Sequence, residues 1–170
     1  ILMGWKENIN KFLGLIISLT YPIPALGWLP LFIIFFGVNN LVPVLIIFIC
    51  CFFPIVYNTL AGIKGVDNNL INAARTLGAS EIKILFTIII PLALPGIFTG
   101  LKLESGMAWR VVIAAEMIAI PTGIGALMMK AENLVRVDII IVCLLLLSFM
   151  CFLFEKTIVL LESKFTDQWR

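Results

Sequence analysis

Four charged side chains stand inside one long apolar stretch, and they are the residues whose types best suit chemistry. They lie within residues 91–118 and are Lys102, Glu104, Arg110 and Glu116. An unpaired charge inside a bilayer is costly, so each must face protein or water. One interpretation is a polar path for anions or zwitterions, with Lys102, Arg110 and Glu116 as candidate lining. The alternative is that these charges pair with neighbouring helices or extend to the membrane interface.

The other reactive residue types form no catalytic or metal-binding pattern. The chain has no histidine and no Gly-rich phosphate loop followed by Lys-Ser or Lys-Thr, so we expect neither a catalytic triad nor ATP hydrolysis here. The cysteines lie in apolar runs without Cys-x-x-Cys spacing, which favours apolar filling over a metal site or a disulfide. They are Cys50, Cys51, Cys143 and Cys151. We therefore expect no enzyme, no metal site and no cofactor bound by this chain.

The composition indicates a membrane protein. Of 170 residues, 62% are hydrophobic and only 13% charged, and the mean hydropathy is +1.14. Soluble domains have roughly half apolar and a quarter charged residues. The net charge of +2 comes with no basic stripe, so nucleic acid is not an expected partner, whereas membrane lipid is.

Hydropathy divides this single domain into apolar crossings and one polar loop. About twenty helical residues cross a hydrocarbon core. The third crossing could be one broken or tilted helix or two half-crossings, because prolines and glycines interrupt it. The predicted crossings are residues 12–36, 41–60, 91–118 and 139–161, with the polar loop at 61–83.

Two prolines interrupt the first crossing. Pro22 and Pro24 each remove a backbone donor and clash one turn back, so a kink or an unwound elbow is expected there. In lipid such an elbow must be buried in protein or face water. Simple helix punctuation and a role in lining a path are both open at these two residues.

The polar loop is predicted to fold as a helix, a glycine elbow and a second helix. Asp67 or Asn68 can cap the first helix, Gly78 supplies the left-handed position that ends it, and Ser80 can cap the next. Glu81 then favours the positive helix end. One helical face carries small and apolar side chains at three-and-four spacing, namely Leu70, Ala73, Ala74 and Leu77.

The loop resembles a known family motif. The run Asn72-Ala-Ala-Arg-Thr-Leu-Gly78-Ala-Ser is followed by Ile88-Ile-Ile90-Pro91, with nine residues between Gly78 and Ile88. It resembles the "EAA" loop of permease subunits of binding-protein-dependent ABC importers, which docks into the ATPase. Asn72 replaces the family glutamate, and Ile90 replaces its leucine. The resemblance assigns ATPase coupling to Asn72, Ala73, Ala74, Gly78, Ala79 and Ser80, and we call residues 61–83 the coupling loop.

Two further segments resemble the nitrate, sulfonate and taurine branch of that family. The first runs from Pro22 to Gly37 and reads Pro-Ile-Pro-Ala-Leu-Gly-Trp-Leu-Pro-Leu-Phe-Ile-Ile-Phe-Phe-Gly. The second, residues 100–118, includes Gly-Met-Ala-Trp-Arg-Val-Val-Ile-Ala-Ala-Glu-Met. Weaker matching extends to Trp169 and Arg170.

The resemblance implies an all-α polytopic membrane protein with the permease fold of type I, MetI-like importers and about four of the usual five or six spans. We expect the first one or two spans to be missing. The implied partners are an ABC ATPase carrying ATP and Mg²⁺, a second permease copy and an extracytoplasmic binding protein that delivers nitrate, sulfonate, taurine or a related solute.

Charge counting favours a multi-pass arrangement in the cell membrane with the coupling loop and both chain ends in the cytoplasm. The alternatives from the residues are an ATP-independent small carrier or channel and, less favoured, a membrane scaffold. Seven basic residues then lie inside and two outside: Lys6, Lys11, Lys64, Arg75, Lys83, Lys164 and Arg170 against Lys130 and Arg136.

Overall fold

Helices make up the regular structure of the chain, as predicted for an all-α membrane protein. The computed structural model describes residue 3 and residues 7–166, with the backbone alone at 7–9 and 166. Within 7–166 there are eight α-helices and no strand. They are α1 (Glu7–Thr20), α2 (Leu29–Phe36), α3 (Leu41–Lys64), α4 (Asn68–Thr76), α5 (Glu81–Ile84), α6 (Ile90–Ala119), α7 (Ile124–Asn133) and α8 (Val137–Thr166).

Three helical stretches in this part of the chain are long and apolar enough to cross a membrane. They are Leu41–Lys64, Glu81–Ala119 and Val137–Phe165. The second joins α5 to α6 through a π-helical segment at Leu85–Ile89. It is continuous through Pro95, so neither a break nor two half-crossings form at 91–118. At 39 residues it is about 58 Å long, and part of it must extend beyond the hydrocarbon core.

The prolines of the first apolar segment break it, as predicted. α1 ends at Thr20, a short 3₁₀ turn covers Ala25–Trp28, and α2 follows. The two halves are bent by 86°. They form a fourth crossing only if the bent pair is counted as one broken span. The expected number of about four crossings then comprises three long helices and this pair.

Close packing between α3 and α6 organises the molecule, and glycines permit it. A Cβ at Gly96 would lie 2.9 Å from the Gly62 Cα, and one at Gly100 would lie 2.9 Å from the Asn58 Cβ. Both distances are shorter than real Cβ contacts, so the two backbones can meet only where these side chains are missing.

Two apolar clusters fix the remaining elements against this helix pair. One lies beneath the coupling loop and has Ile63, Val66, Ile84, Ile89 and Ala93 at its centre. The other joins the elbow to α3 and α6 through Leu29, Val42, Ile46 and Ala115. By contrast, only 6% of the most apolar 18-residue stretch of α8 is buried against the rest of the chain, so most of that helix faces lipid or another subunit.

Candidate functional site

The coupling loop has the predicted helix, glycine elbow and second helix. The Asp67 carboxylate caps α4 by accepting a 2.8 Å hydrogen bond from the Asn69 N–H. Gly78 has φ = +80°, a left-handed conformation that glycine adopts without steric cost. The Ser80 hydroxyl then caps α5, with a longer bond of 3.4 Å from the Lys83 N–H.

The side chains of the coupling loop fall into two sets, one packed against the rest of the chain and one exposed. Ala74 and Ala79 are half-buried against the cluster beneath the loop, whereas Asn72, Ala73, Gly78 and Ser80 are exposed. Exposure differs along the predicted small and apolar face, because Ala74 is half-buried while Leu70, Ala73 and Leu77 are exposed. Leu77 is 88% exposed, so its side chain is accessible to a partner.

An ion pair bridges the two sides of the glycine elbow. Arg75 Nε and Nη2 donate to the two carboxylate oxygens of Glu81 at 2.8 and 3.1 Å. The hydrogen bond to this carboxylate, together with its negative charge, raises the pKa of Arg75. Both side chains are about half exposed, so the pair sets the angle between α4 and α5 more than it adds stability.

The proline elbow forms one wall of a cavity of about 260 Å³. Pro22 and Pro24 both line it and are themselves exposed, so the unwound backbone borders a partly open cavity. Glu104 of α6 also lines it. The full lining is Tyr21, Pro22, Ile23, Pro24, Ala25, Ile49, Cys50, Phe53, Pro54, Glu104 and Met107.

Glu104 stands near the middle of α6 and is partly buried. In the part of the chain that the structure describes, its carboxylate makes no ion pair and no hydrogen bond. A carboxylate at the centre of a membrane helix costs about 3 kcal/mol on the insertion scale, so its position needs a functional or structural compensation. Sequence reasoning noticed this charge but did not place it in a site.

Two cysteines complete a cluster around Glu104 that sequence reasoning missed. The ligand atoms of Cys50, Cys51 and Glu104 all lie within 4.8 Å of one another. Cys51 Sγ also approaches the Glu104 carbonyl oxygen at 3.7 Å. The sequence did contain a signal, because two adjacent thiols lie near the middle of α3 and an acidic residue lies near the middle of α6. The large separation of these residues along the chain concealed the contact.

Glu116 contacts the helix that follows α6 in the chain. Its carboxylate accepts a 2.9 Å hydrogen bond from the Gly125 N–H in the first turn of α7, where a negative charge is favoured. Gly123 and Gly125 leave room for it, because a Cβ at either position would overlap Glu116. Glu116 therefore anchors α7 to the end of α6.

The other predicted path residues do not converge within this chain. Lys102 and Arg110 are both exposed on α6, and among the described residues no ion pair joins either of them to Glu116. Of the predicted set, Pro22 and Pro24 line the cavity beside the elbow. Lys6, Trp169 and Arg170, which entered the charge count and the resemblance, lie outside the described residues.

Known proteins resemble this chain over almost its whole length. The family profile described as "Binding-protein-dependent transport system inner membrane component" matches residues 1–167. A putative ABC transporter permease of Methanocaldococcus jannaschii is 40% identical over 97% of this chain and 62% of its own length.

Several relatives carry the names of substrates, and aliphatic sulfonates are among them. The taurine transport system permease of Escherichia coli is 35% identical over 98% of this chain and 60% of its own. The nitrate import permease of Synechococcus elongatus is 34% identical over 78% of this chain and 49% of its own. The chain thus spans about three fifths of the first of these curated relatives.

Proposed function

This chain belongs to the family of inner membrane components of binding-protein-dependent transport systems, and on that basis we propose that it forms the translocation path of an ATP-driven ABC importer. In this proposal it is the permease subunit or the larger part of it. It pairs with a second copy, takes its solute from an extracytoplasmic binding protein, and leaves ATP and Mg²⁺ binding to a separate ATPase.

The observation that carries this proposal is the exposed apolar tip of the coupling loop. Leu77 is 88% and Leu70 49% exposed, while Ala74 and Ala79 tie the same loop to the cluster that includes Ile89 and Ala93 at the start of α6. The loop is thus free on one side and rigidly joined to a membrane helix on the other. A force applied by an ATPase at Leu77 would pass directly to α6.

The elbow supplies the element that can move. Between α1 and α2 the chain has no continuous helix, so the two halves can change their angle without breaking regular hydrogen bonds. In the proposed cycle, closure of two ATPases draws two coupling loops together, and the elbows let the spans rock between inward-open and outward-open arrangements. The coupling loop and the C-terminus then lie in the cytoplasm.

The substrate class follows from the names of the relatives. Taurine, sulfonates and nitrate are all small molecules with a planar or tetrahedral oxyanion group. We propose a solute of this kind, with Lys102 and Arg110 as candidate basic residues of the path once a second copy completes it.

Co-purification of an ATPase with the detergent-solubilised full-length protein tests the proposal. We expect wild type to retain a stoichiometric ABC ATPase, identified by mass spectrometry and by Mg²⁺-dependent ATP hydrolysis. Leu77→Asp should lose most of it, because a charge replaces the exposed apolar contact. Leu134→Asp is the matched control, since Leu134 is 71% exposed but lies just after α7.

A second pair of variants separates loop geometry from general destabilisation. Gly78→Ala and Gly37→Ala both place a side chain at positive φ, +80° and +73°, with no atom within 4 Å of the new Cβ. Only the first should release the ATPase. Equal loss in both would point to misfolding, and the absence of an ATPase from wild type would replace the importer proposal with an ATP-independent carrier or channel.

A further inference from the structure

The cluster of Cys50, Cys51 and Glu104 has the dimensions of a metal site. Three atoms that all lie within 4.8 Å of one another have a common centre at most about 2.8 Å from each atom. This limit is reached when the atoms form an equilateral triangle, in which the distance from a corner to the centre is the side divided by √3. Zinc takes thiolate sulfur at about 2.3 Å and carboxylate oxygen at about 2.0–2.2 Å. Small side-chain rotations, without backbone movement, therefore suffice to close three ligands on one ion.

The backbone that holds the cluster is closely packed. A Cβ at Gly100 would lie 3.4 Å from the Ile55 Cα, so α3 and α6 touch there. Cys51 and Glu104 each lie four residues, about one helical turn, beyond that contact on their own helices. The close crossing thus fixes both ligand-bearing turns, and the thiol of Cys51 already meets the Glu104 carbonyl oxygen at 3.7 Å.

The donor set matches one class of ion. We propose that Cys50, Cys51 and Glu104 bind a thiophilic d¹⁰ divalent cation of the Zn²⁺ type within the membrane-spanning region. Two sulfur ligands select a soft or borderline metal, and the carboxylate favours Zn²⁺ over the softer Cu⁺. Binding displaces the protons of the two thiols without any redox step. The two thiolates balance the charge of the ion, so the site keeps the single negative charge it had before, and the carboxylate gains a directly coordinated cation.

The cavity gives the ion an entrance and an open coordination position. Cys50 and Glu104 line the same 260 Å³ space as the proline elbow, so a fourth ligand can come from water or from a molecule in the cavity. An ion held there joins α3 to α6 beside the segment that must bend. Metal loading should therefore stiffen the elbow region and inhibit transport, although binding itself does not depend on the transport function.

Cadmium titration of the purified full-length protein, first stripped with a chelator, tests the site without an ATPase. Cd²⁺ replaces Zn²⁺ in sulfur sites and produces a thiolate-to-metal charge-transfer band in the ultraviolet. We expect one Cd²⁺ per chain, displaced by Zn²⁺. Cys50→Ser and Cys51→Ser should each remove the band. Glu104→Gln should weaken binding by more than about tenfold. Tenfold is the smallest loss expected when a residue that only supports a ligand is removed, so a larger loss indicates a direct ligand.

Two other cysteines provide the matched control. Cys143 and Cys151 both lie on α8, outside the cluster, so a Cys143→Ser/Cys151→Ser double variant should bind Cd²⁺ as wild type does. Chromatographic behaviour and helical circular dichroism identify any variant that fails to fold. Metal-free Glu104→Gln should unfold at a higher temperature than metal-free wild type, because it removes a mid-membrane charge, and Zn²⁺ should stabilise only wild type.

Several results would overturn the assignment. The site is absent if wild type shows no saturable band, or if its two adjacent thiols are found oxidised to each other under the titration conditions. It is misplaced if the band survives in either Cys50→Ser or Cys51→Ser, or disappears in the α8 double variant. It lacks its carboxylate ligand if Glu104→Gln binds with wild-type affinity.

Discussion

The coupling loop and the elbow cavity are built by different kinds of contact. In the coupling loop, the bonds that define its shape join residues two to six apart, from Asp67–Asn69 to Arg75–Glu81. At the cavity, the contact between Cys51 and Glu104 joins residues 53 apart. The first region depends on capping and glycine conformation, whereas the second depends on how closely two membrane helices pack.

This difference teaches where the molecule tolerates change. A local motif can lose one bond and keep its remaining caps, so each substitution there should have a small effect on stability. A helix crossing has no remaining contacts that could compensate for a lost one, because moving α3 away from α6 disturbs Gly62, Gly96 and Gly100 together. Substitutions in the two regions should therefore differ in size, and the following variants test this expectation.

The largest effect is expected at the crossing itself. Gly96→Ala would place a Cβ 2.9 Å from the Gly62 Cα, which forces the helices apart at a cost of about 2–3 kcal/mol. The control is Gly106→Ala on the same helix, where nothing lies within 4 Å and alanine should stabilise the helix by about 0.5–1 kcal/mol. Unfolding in detergent, followed by circular dichroism, compares the two. Equal midpoints would mean that the crossing is not tightly packed.

The next effect is expected where Glu116 anchors α7. Glu116→Ala removes the carboxylate that accepts the Gly125 N–H at 2.9 Å, and loss of a hydrogen bond to a charged group costs about 2 kcal/mol. Hydrogen exchange should rise in the first turn of α7. Glu132→Ala, at an exposed glutamate of the same helix, should leave exchange unchanged. A similar rise in both variants would show that Glu116 does not hold the helix end.

A smaller effect is expected within the coupling loop. Asp67→Ala removes the 2.8 Å cap of α4 and should cost about 1 kcal/mol, seen as faster amide exchange over residues 68–76. Ser80→Ala should cost less, because its bond to the Lys83 N–H is long at 3.4 Å. If Ser80→Ala proves the more damaging, the second helix rather than the first determines the shape of the loop.

The smallest effect is expected at the ion pair across the elbow. Arg75→Ala should leave the unfolding midpoint unresolved from wild type, because both partners are about half exposed and salt screens such pairs. The angle between α4 and α5 should nevertheless loosen, which spin labels at Asn72 and Ile82 can report. A large loss of stability would place this local pair in the same class as the helix crossing.

Sequence reasoning predicted the local features of the candidate sites well. Asp67, Gly78 and Ser80 have residue types that favour one backbone role each, and the structure gives them those roles. It failed where partners are distant. Lys102 and Glu116 lie on a single helix, but a helical wheel cannot show that Gly125 approaches Glu116 or that Cys51 approaches Glu104.

By itself, the sequence determined the membrane setting, the helical composition, the proline break and the form of the coupling loop. All four follow from residue hydropathy and backbone preferences, which act over a few residues. Only the tertiary structure decided that α6 is unbroken, that Ala74 turns inward, and that Cys50, Cys51 and Glu104 meet. Each outcome depends on contacts between residues far apart in the chain. The meeting of the two cysteines with Glu104, for example, follows a close approach of α3 and α6 at Gly62, Gly96 and Gly100, and such a register exists only once the helices have packed.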